Sequence, residues 1–257
     1  MKTLGFIGCG HIARSLITGL KRDSDYKIIG YDKMPSSLDW LKKNNCTPVS
    51  LNECCKNADI IFLCVKPQDM PTLCKELSKL INKNHNIVSV AAGIKYESLK
   101  NSLSTDKIFR AMPNVGAKDN LGITAIFSHS DNSEVLRVFK FLGEAYEVEN
   151  EDQIDLHTVL IGSGPAFFYE LLNEFERRMD TLVQDKDTKR LVSIVFLSSL
   201  ITSIQNGENL DDLIESVASK GGTTEAGLKF LYKEKFSEIF SGAVDAGIKR
   251  AKELSMD

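Results

Sequence analysis

Two short glycine-containing segments carry the residue types from which chemistry could be built. The first is Gly8-Cys9-Gly10-His11-Ile12-Ala13, a G-x-G-x-x-A spacing. It follows the apolar run 3–7 directly and opens the stretch 11–20, where Ile12, Leu16, Ile17 and Leu20 recur at helical intervals. Between a strand and a helix, this spacing suits a dinucleotide pyrophosphate. The first glycine permits the tight turn and the second lets the main chain approach the phosphates. The small Ala13 lets the helix pack on the strand, with its N-terminus facing the negative charge. Ile7, Gly8, Cys9, Gly10, His11, Ile12 and Ala13 are therefore the expected cofactor contacts, Cys9 serving as a spacer; a purely structural turn would carry the same letters.

The strand 27–31 should end beside the adenosine ribose. Asp32, 24 residues after Gly8, suits the ribose hydroxyls of NAD, while Lys33 with Ser36 and Ser37 suits a 2′-phosphate. The two cues conflict, and a solvated loop would read the same way.

The second segment is Lys220-Gly221-Gly222-Thr223-Thr224. Two glycines free the backbone N–H groups to form an anion nest, and two threonines add hydroxyl donors. A helix starting just beyond would turn its positive end toward a carboxylate. A Gly-Gly helix start capped by threonine is the plain alternative.

The elements that must position these segments follow from periodicity. Short strands are expected at 3–7, 27–31, 58–65, 86–91, 108–112 and 123–127, with helices at 11–20, 36–43 and 71–81 between them. The unbroken run ADIIFLCV is the pattern of a strand buried on both faces, and strand–helix alternation points to a parallel α/β sheet. Beyond about residue 155 only helical patterns remain: a helix starting near Pro165, further ones over 187–206 and 210–219, and a final stretch from Glu225. The expected architecture is a Rossmann-type doubly wound sheet domain, 1–155, followed by an all-helical domain, 156–257. With 257 residues, 42% of them hydrophobic, a normal core can form. A net charge of −3 argues against a nucleic-acid partner. No apolar run is long enough to span a membrane. The six cysteines form no C-x-x-C and no cluster with the four histidines, so neither a metal site nor a disulfide framework is expected, and buried thiols in a reducing cytoplasm are.

Several blocks, in order, resemble the pyrroline-5-carboxylate reductase family: LGFIGCGHIA (4–13), ADIIFLCVKPQ around Lys66-Pro67, VSVAAG (88–93), RAMPN (110–114), GSGPAFFY (162–169) and VASKGGTTEAGL (217–228). The last is the most specific, being similar to the family's SPGGTT signature followed by a helix. The resemblance covers nearly the whole chain. It implies reduction of 1-pyrroline-5-carboxylate to L-proline by hydride transfer from NAD(P)H, in a homodimer or dimer-based ring. It also implies roles for single residues. Thr224 would be the catalytic side chain beside the ring nitrogen. Thr223, Ser216, Ser219, Gly221 and Gly222 would contact the substrate carboxylate, and Glu151, by itself a solvated loop acid, would line the same site. Cys64, Val65, Lys66 and Pro67 would lie over the cofactor ribose and nicotinamide, with Ala91, Ala92 and Asn114 close by. NADPH is the expected cofactor, with NADH possible and the preference modest, since Lys33 attracts a 2′-phosphate that Asp32 repels.

The chain departs from the family pattern at three places. Val115-Gly116 replaces a Thr-Pro pair after Asn114, Lys220 replaces a proline, and Ile161 replaces a serine. Two other readings share the sequence: a nucleotide-binding pseudoenzyme or redox sensor, and a reductase of a different cyclic imine.

Overall fold

The structure, a computed structural model, describes residues 1–22, 26–207 and 209–254. The chain forms two compact units, one of residues 1–163 with the chain end from Gly247, the other of residues 164–246.

The first unit is an eight-stranded sheet wrapped by helices. Its elements in order are β1 (Lys2–Ile7), α1 (His11–Leu20), β2 (Tyr26–Tyr31), α2 (Pro35–Lys43), β3 (Thr47–Pro48), α3 (Leu51–Asn57), β4 (Ile60–Leu63), α4 (Met70–Leu77), β5 (Asn86–Ser89), α5 (Tyr96–Leu103), β6 (Ile108–Pro113), β7 (Gly122–Phe127), α6 (Ser133–Phe141), β8 (Gly143–Glu147) and α7 (Asp152–His157). The strand order is β3-β2-β1-β4-β5-β6-β7-β8. Alternate residues of each strand feed two apolar layers. Leu4, Phe6, Phe62, Val88 and Phe109 meet α1 and α6 on one face. Ile7, Ile61, Leu63, Ile87 and Ile108 meet α3, α4 and α5 on the other. Burial on both faces explains the continuous apolar runs. Phe6 and Phe62 stack with ring centroids 4.7 Å apart, joining β1 to β4 at the centre of the first layer.

The sheet corrects one expectation. It is parallel except at β6–β7, which pair antiparallel from Arg110 opposite Phe127 to Pro113 opposite Thr124. The connection 114–121, wound as a tight helical turn at Val115–Asp119, is too short for a parallel crossover. The helix expected from Pro165 is present, starting at Gly164. Helical backbone already runs from α7 through a wide π-type turn, Thr158–Ser163, up to that helix, which the sequence did not suggest.

The second unit comprises α8 (Gly164–Met179), α9 (Lys186–Gln205), α10 (Leu210–Val217), α11 (Thr223–Lys233) and the first part of α12 (Phe236–Leu254). The stretch from Glu225 is two helices and not one, because Lys235 adopts a left-handed φ of 56° between them. Leu191, Ile194, Val195, Leu200, Ile201 and Ile204 of α9 are all exposed, and Ser193 is its buried residue.

One ion pair ties the sheet to its helices. Arg110 on β6 is 1% exposed and donates from Nη1 to Glu151 Oε1 at 2.8 Å. The same Oε1 accepts the Tyr96 N–H at 2.6 Å, so Glu151 also closes the N-terminus of α5. Removing one partner of a buried pair strands the other's charge. Glu151→Ala should lower unfolding stability by about 3 kcal/mol, read as an earlier urea midpoint at unchanged slope. The double change Arg110→Met with Glu151→Gln should lose less than Glu151→Ala alone, because no unpaired charge remains.

Candidate active site

The parallel register places the predicted cofactor segments on one edge of the first unit. Ile7 pairs with Leu63, and Leu63 with Ser89. The chain therefore leaves β1, β4 and β5 at the same carboxyl edge, through Gly8–Gly10, Cys64–Pro67 and Val90–Ala92. From β1 the strand order runs to β2 on one side and β4 on the other, so the glycine loop sits at the topological switch point. Asn114 follows β6 on the same edge. Its Oδ1 accepts the Ile123 N–H at 3.0 Å, which holds the start of β7.

Each glycine of the loop has its own constraint. Gly8 has φ +87°, and a Cβ there would lie 2.9 Å from the main chain of Cys64 and Val65. Gly10 precedes α1, and a Cβ there would meet nothing within 4 Å. Open space beside bare main chain is what a passing pyrophosphate needs. The first turn of α1 holds no acidic residue, so the positive end of the helix is not neutralised from within. These residues fit a dinucleotide.

Around the loop the side chains are fixed. Asp32 Oδ2 accepts the Cys9 N–H at 2.6 Å and Oδ1 the Met34 N–H at 2.7 Å. The acid thus ties the glycine loop to the end of β2. Ala13 is fully buried against the sheet, as expected for close helix packing. His11, Lys33 and Lys66 are exposed, Ile12, Val65, Pro67 and Ala92 half-buried, and Ala91 buried. All six thiols are free and buried. Burial pushes the Cys9 thiol up to about 12, with Asp32 adding to the shift, and Cys54 likewise up to about 12. Thiols so protonated are poor nucleophiles, which removes support for a redox sensor at the loop.

In the second unit, Gly222 precedes α11, whose first turn begins Thr223-Thr224-Glu225. Gly221 has φ +74°, a conformation that favours glycine. A Cβ on Gly222 would lie 2.5 Å from Ser219 Oγ, so the glycine is needed for the turn itself. Thr223 is exposed and Thr224 half-buried. Two expected donors are committed elsewhere. Ser216 Oγ donates to the Leu213 carbonyl at 2.7 Å, within its own helix. The Gly221 N–H donates to Glu225 Oε2 at 2.7 Å. That bond and Lys229 hold the Glu225 carboxyl below the usual carboxylate range. Glu225 therefore takes an amide assigned from the sequence to the substrate. Its position four residues after Gly221 was the available signal. Glu151, expected to line the substrate site, accepts from Arg110 Nη1 and from the Tyr96 N–H.

Comparison with known proteins bears on both halves. Residues 151–254 match the family model described as pyrroline-5-carboxylate reductase dimerisation, and residues 3–93 the one described as NADP oxidoreductase, coenzyme F420-dependent. The pyrroline-5-carboxylate reductase of Escherichia coli is 30% identical over 99% of this chain and 98% of its own. The chain belongs to the pyrroline-5-carboxylate reductase family. The solved structure of such a reductase from Coxiella burnetii shares 28% identity over 98% of each chain, with a TM-score of 0.86. The Plasmodium falciparum pyrroline carboxylate reductase, solved with NADP bound, has the same fold, with a TM-score of 0.86 at 20% identity over 99% of this chain and 98% of that one. These likenesses within the reductase family agree with the expected α/β sheet followed by a helical region.

The open space at Gly10 leads to a direct test. Gly10→Val should fold normally, because a Cβ at this exposed position meets nothing within 4 Å, and should lose NADPH affinity by at least about tenfold through the branched side chain blocking the phosphates. Isothermal titration beside a thermal melt separates the two effects.

Proposed function

We propose that this protein reduces 1-pyrroline-5-carboxylate to L-proline with NAD(P)H in the cytoplasm. Residues 1–155 would hold the nucleotide, and residues 156–257 the substrate and the homodimer contact. The observation that carries this reading is the match over the whole chain, which includes the glycine loop, the GGTT block and the helical region between them. The exposed apolar face of α9 supports a second copy as partner, and six free buried thiols suit a reducing compartment.

A bound reduced nicotinamide supplies the hydride that the cyclic imine carbon accepts. The chain's own residues bind and orient. Gly8 and Gly10 let the main chain pass close to the pyrophosphate, which the N–H groups opening α1 would hold, the Gly8 and Cys9 amides being spent on Tyr31 and Asp32. Asp32 stands where the adenosine ribose hydroxyls would donate. The N–H groups opening α11 and the Thr223 hydroxyl hold the substrate carboxylate. The Thr224 hydroxyl bonds the ring nitrogen, which turns from iminium to amine as the carbon gains the hydride, and fixes which face of the ring is presented.

The activity test is loss of NADPH absorbance on adding pyrroline-5-carboxylate, with proline as product. Faster turnover of another cyclic imine would move the substrate assignment, and cofactor binding without turnover would overturn the reductase reading. Thr224→Ala should lower kcat/KM by about one to two decades, the value of one lost hydrogen bond at the reacting centre. NADPH affinity should stay within roughly twofold, a change below about 0.4 kcal/mol. Thr223→Ala should act mainly on KM, since a carboxylate contact binds ground and transition states alike.

A further inference from the structure

The adenosine side of the glycine loop holds a cation that the sequence patterns pass over. Arg14 lies in the second turn of α1, half-buried, one residue after the loop's Ala13. Its Nε donates to the Cys9 carbonyl at 3.0 Å, so the loop itself fixes the guanidinium. Its guanidinium carbon lies 5.2 Å from the ring centroid of Trp40 on α2, the chain's single tryptophan. Nη2 reaches Ser37 Oγ, on the first turn of α2, at 3.5 Å. Among the described residues no carboxylate forms an ion pair with Arg14, and its Nη1 has no hydrogen-bond partner. A guanidinium stacked on an indole and bonded to a loop carbonyl has already lost much of its freedom, so little more is lost when it pairs with an anion. Lys33, the other cation at this corner, is exposed and bonds no side chain among the described residues.

We infer that Arg14 is the residue that recognises the 2′-phosphate of NADPH, with Ser37 beside it, and that Asp32 serves the free ribose of NADH. The inference rests on the dinucleotide reading of the glycine loop. The Ser37 contact sets Arg14 against the segment that follows β2, the segment from which a Rossmann unit reads the ribose. The planar fork with free Nη donors can meet two phosphate oxygens at once, which a lysine ammonium cannot do. Asp32 is held on two backbone N–H groups and repels the phosphate, so attraction and repulsion at this corner oppose each other. Wild-type preference for NADPH over NADH is accordingly modest, and Arg14 decides its sign.

The test uses the full chain and isothermal titration with NADPH, NADH, 2′,5′-ADP and 5′-AMP. Arg14→Ala should weaken NADPH and 2′,5′-ADP by about tenfold to a hundredfold, while NADH and 5′-AMP stay within roughly twofold, as expected for a charge-assisted bond made to the phosphate alone. Arg14→Lys should fall between, keeping the charge and losing the fork. Retained NADH binding also shows that the variant is folded. Equal weakening of all four ligands would make Arg14 a strut for the loop and overturn the inference. So would a loss of discrimination in Lys33→Ala but not in Arg14→Ala, or a wild-type protein that gains nothing from the 2′-phosphate. If the wild type binds none of the four, it is the dinucleotide reading itself that fails.

Discussion

The front of the molecule depends on how closely the turn after β1 passes the end of β4. At Gly8 the main chain lies so near Cys64 and Val65 that even a methyl group would collide with their backbone. The approach holds because β1 and β4 pair in register up to Ile7 and Leu63, and because the Cys64 N–H bonds the Ile7 carbonyl at 2.8 Å. The Gly8 N–H meanwhile bonds the Tyr31 carbonyl at 2.9 Å, fastening the same turn to β2. Three strands thus converge on one residue, and the bare amides at the start of α1 are aimed by that convergence. Asp32 adds the last restraint by accepting the Cys9 N–H. The geometry is set before any ligand arrives, which is how a site avoids ordering its own backbone on binding.

Much of this was legible in the letters, for physical reasons that differ by element. The strand β4 (IIFL) is buried throughout and apolar without interruption, and β1 and β5 carry shorter buried apolar runs, so all three are easy to see. The short polar helices were not. Helix α3 (LNECCKN) buries only Cys54 and Cys55, and its capping box at Ser50 and Glu53 was its clearest signal. Strand β8 (GEAYE) buries Ala145 alone, so it shows no apolar pattern; its place follows from pairing with β7. The reversal at β6–β7 depends on the length of a connection and not on any residue in either strand. At the site, the glycine spacing could be read because backbone constraints select residue types. The pairing of Asp32 with Cys9, of Glu151 with Arg110 and Tyr96, and of Arg14 with Ser37 and Trp40 could not, since each joins separate segments of the chain.

The GGTT turn shows how a family pattern and a local structure can divide one segment. Gly221 and Gly222 are explained by conformation and by the Ser219 side chain, without reference to a ligand. What remains for chemistry is narrower: the first amides of α11 and two threonine hydroxyls. With Glu225 placed on the Gly221 amide, a negative charge stands beside the proposed carboxylate position. The segment would then discriminate between anions by how much charge they bring and by how they orient it, and not only by attracting them.

The distribution of sulfur has a practical meaning of its own. All six thiols lie within the first 74 residues, buried in the sheet unit, and the second unit has none. A small alkylating reagent can reach them only when that unit opens, so the rate of modification is a clock for its breathing. The clock is blind to the helical unit. Run with and without nucleotide, it would report how far the cofactor tightens one half of the chain, independently of whatever the other half is doing.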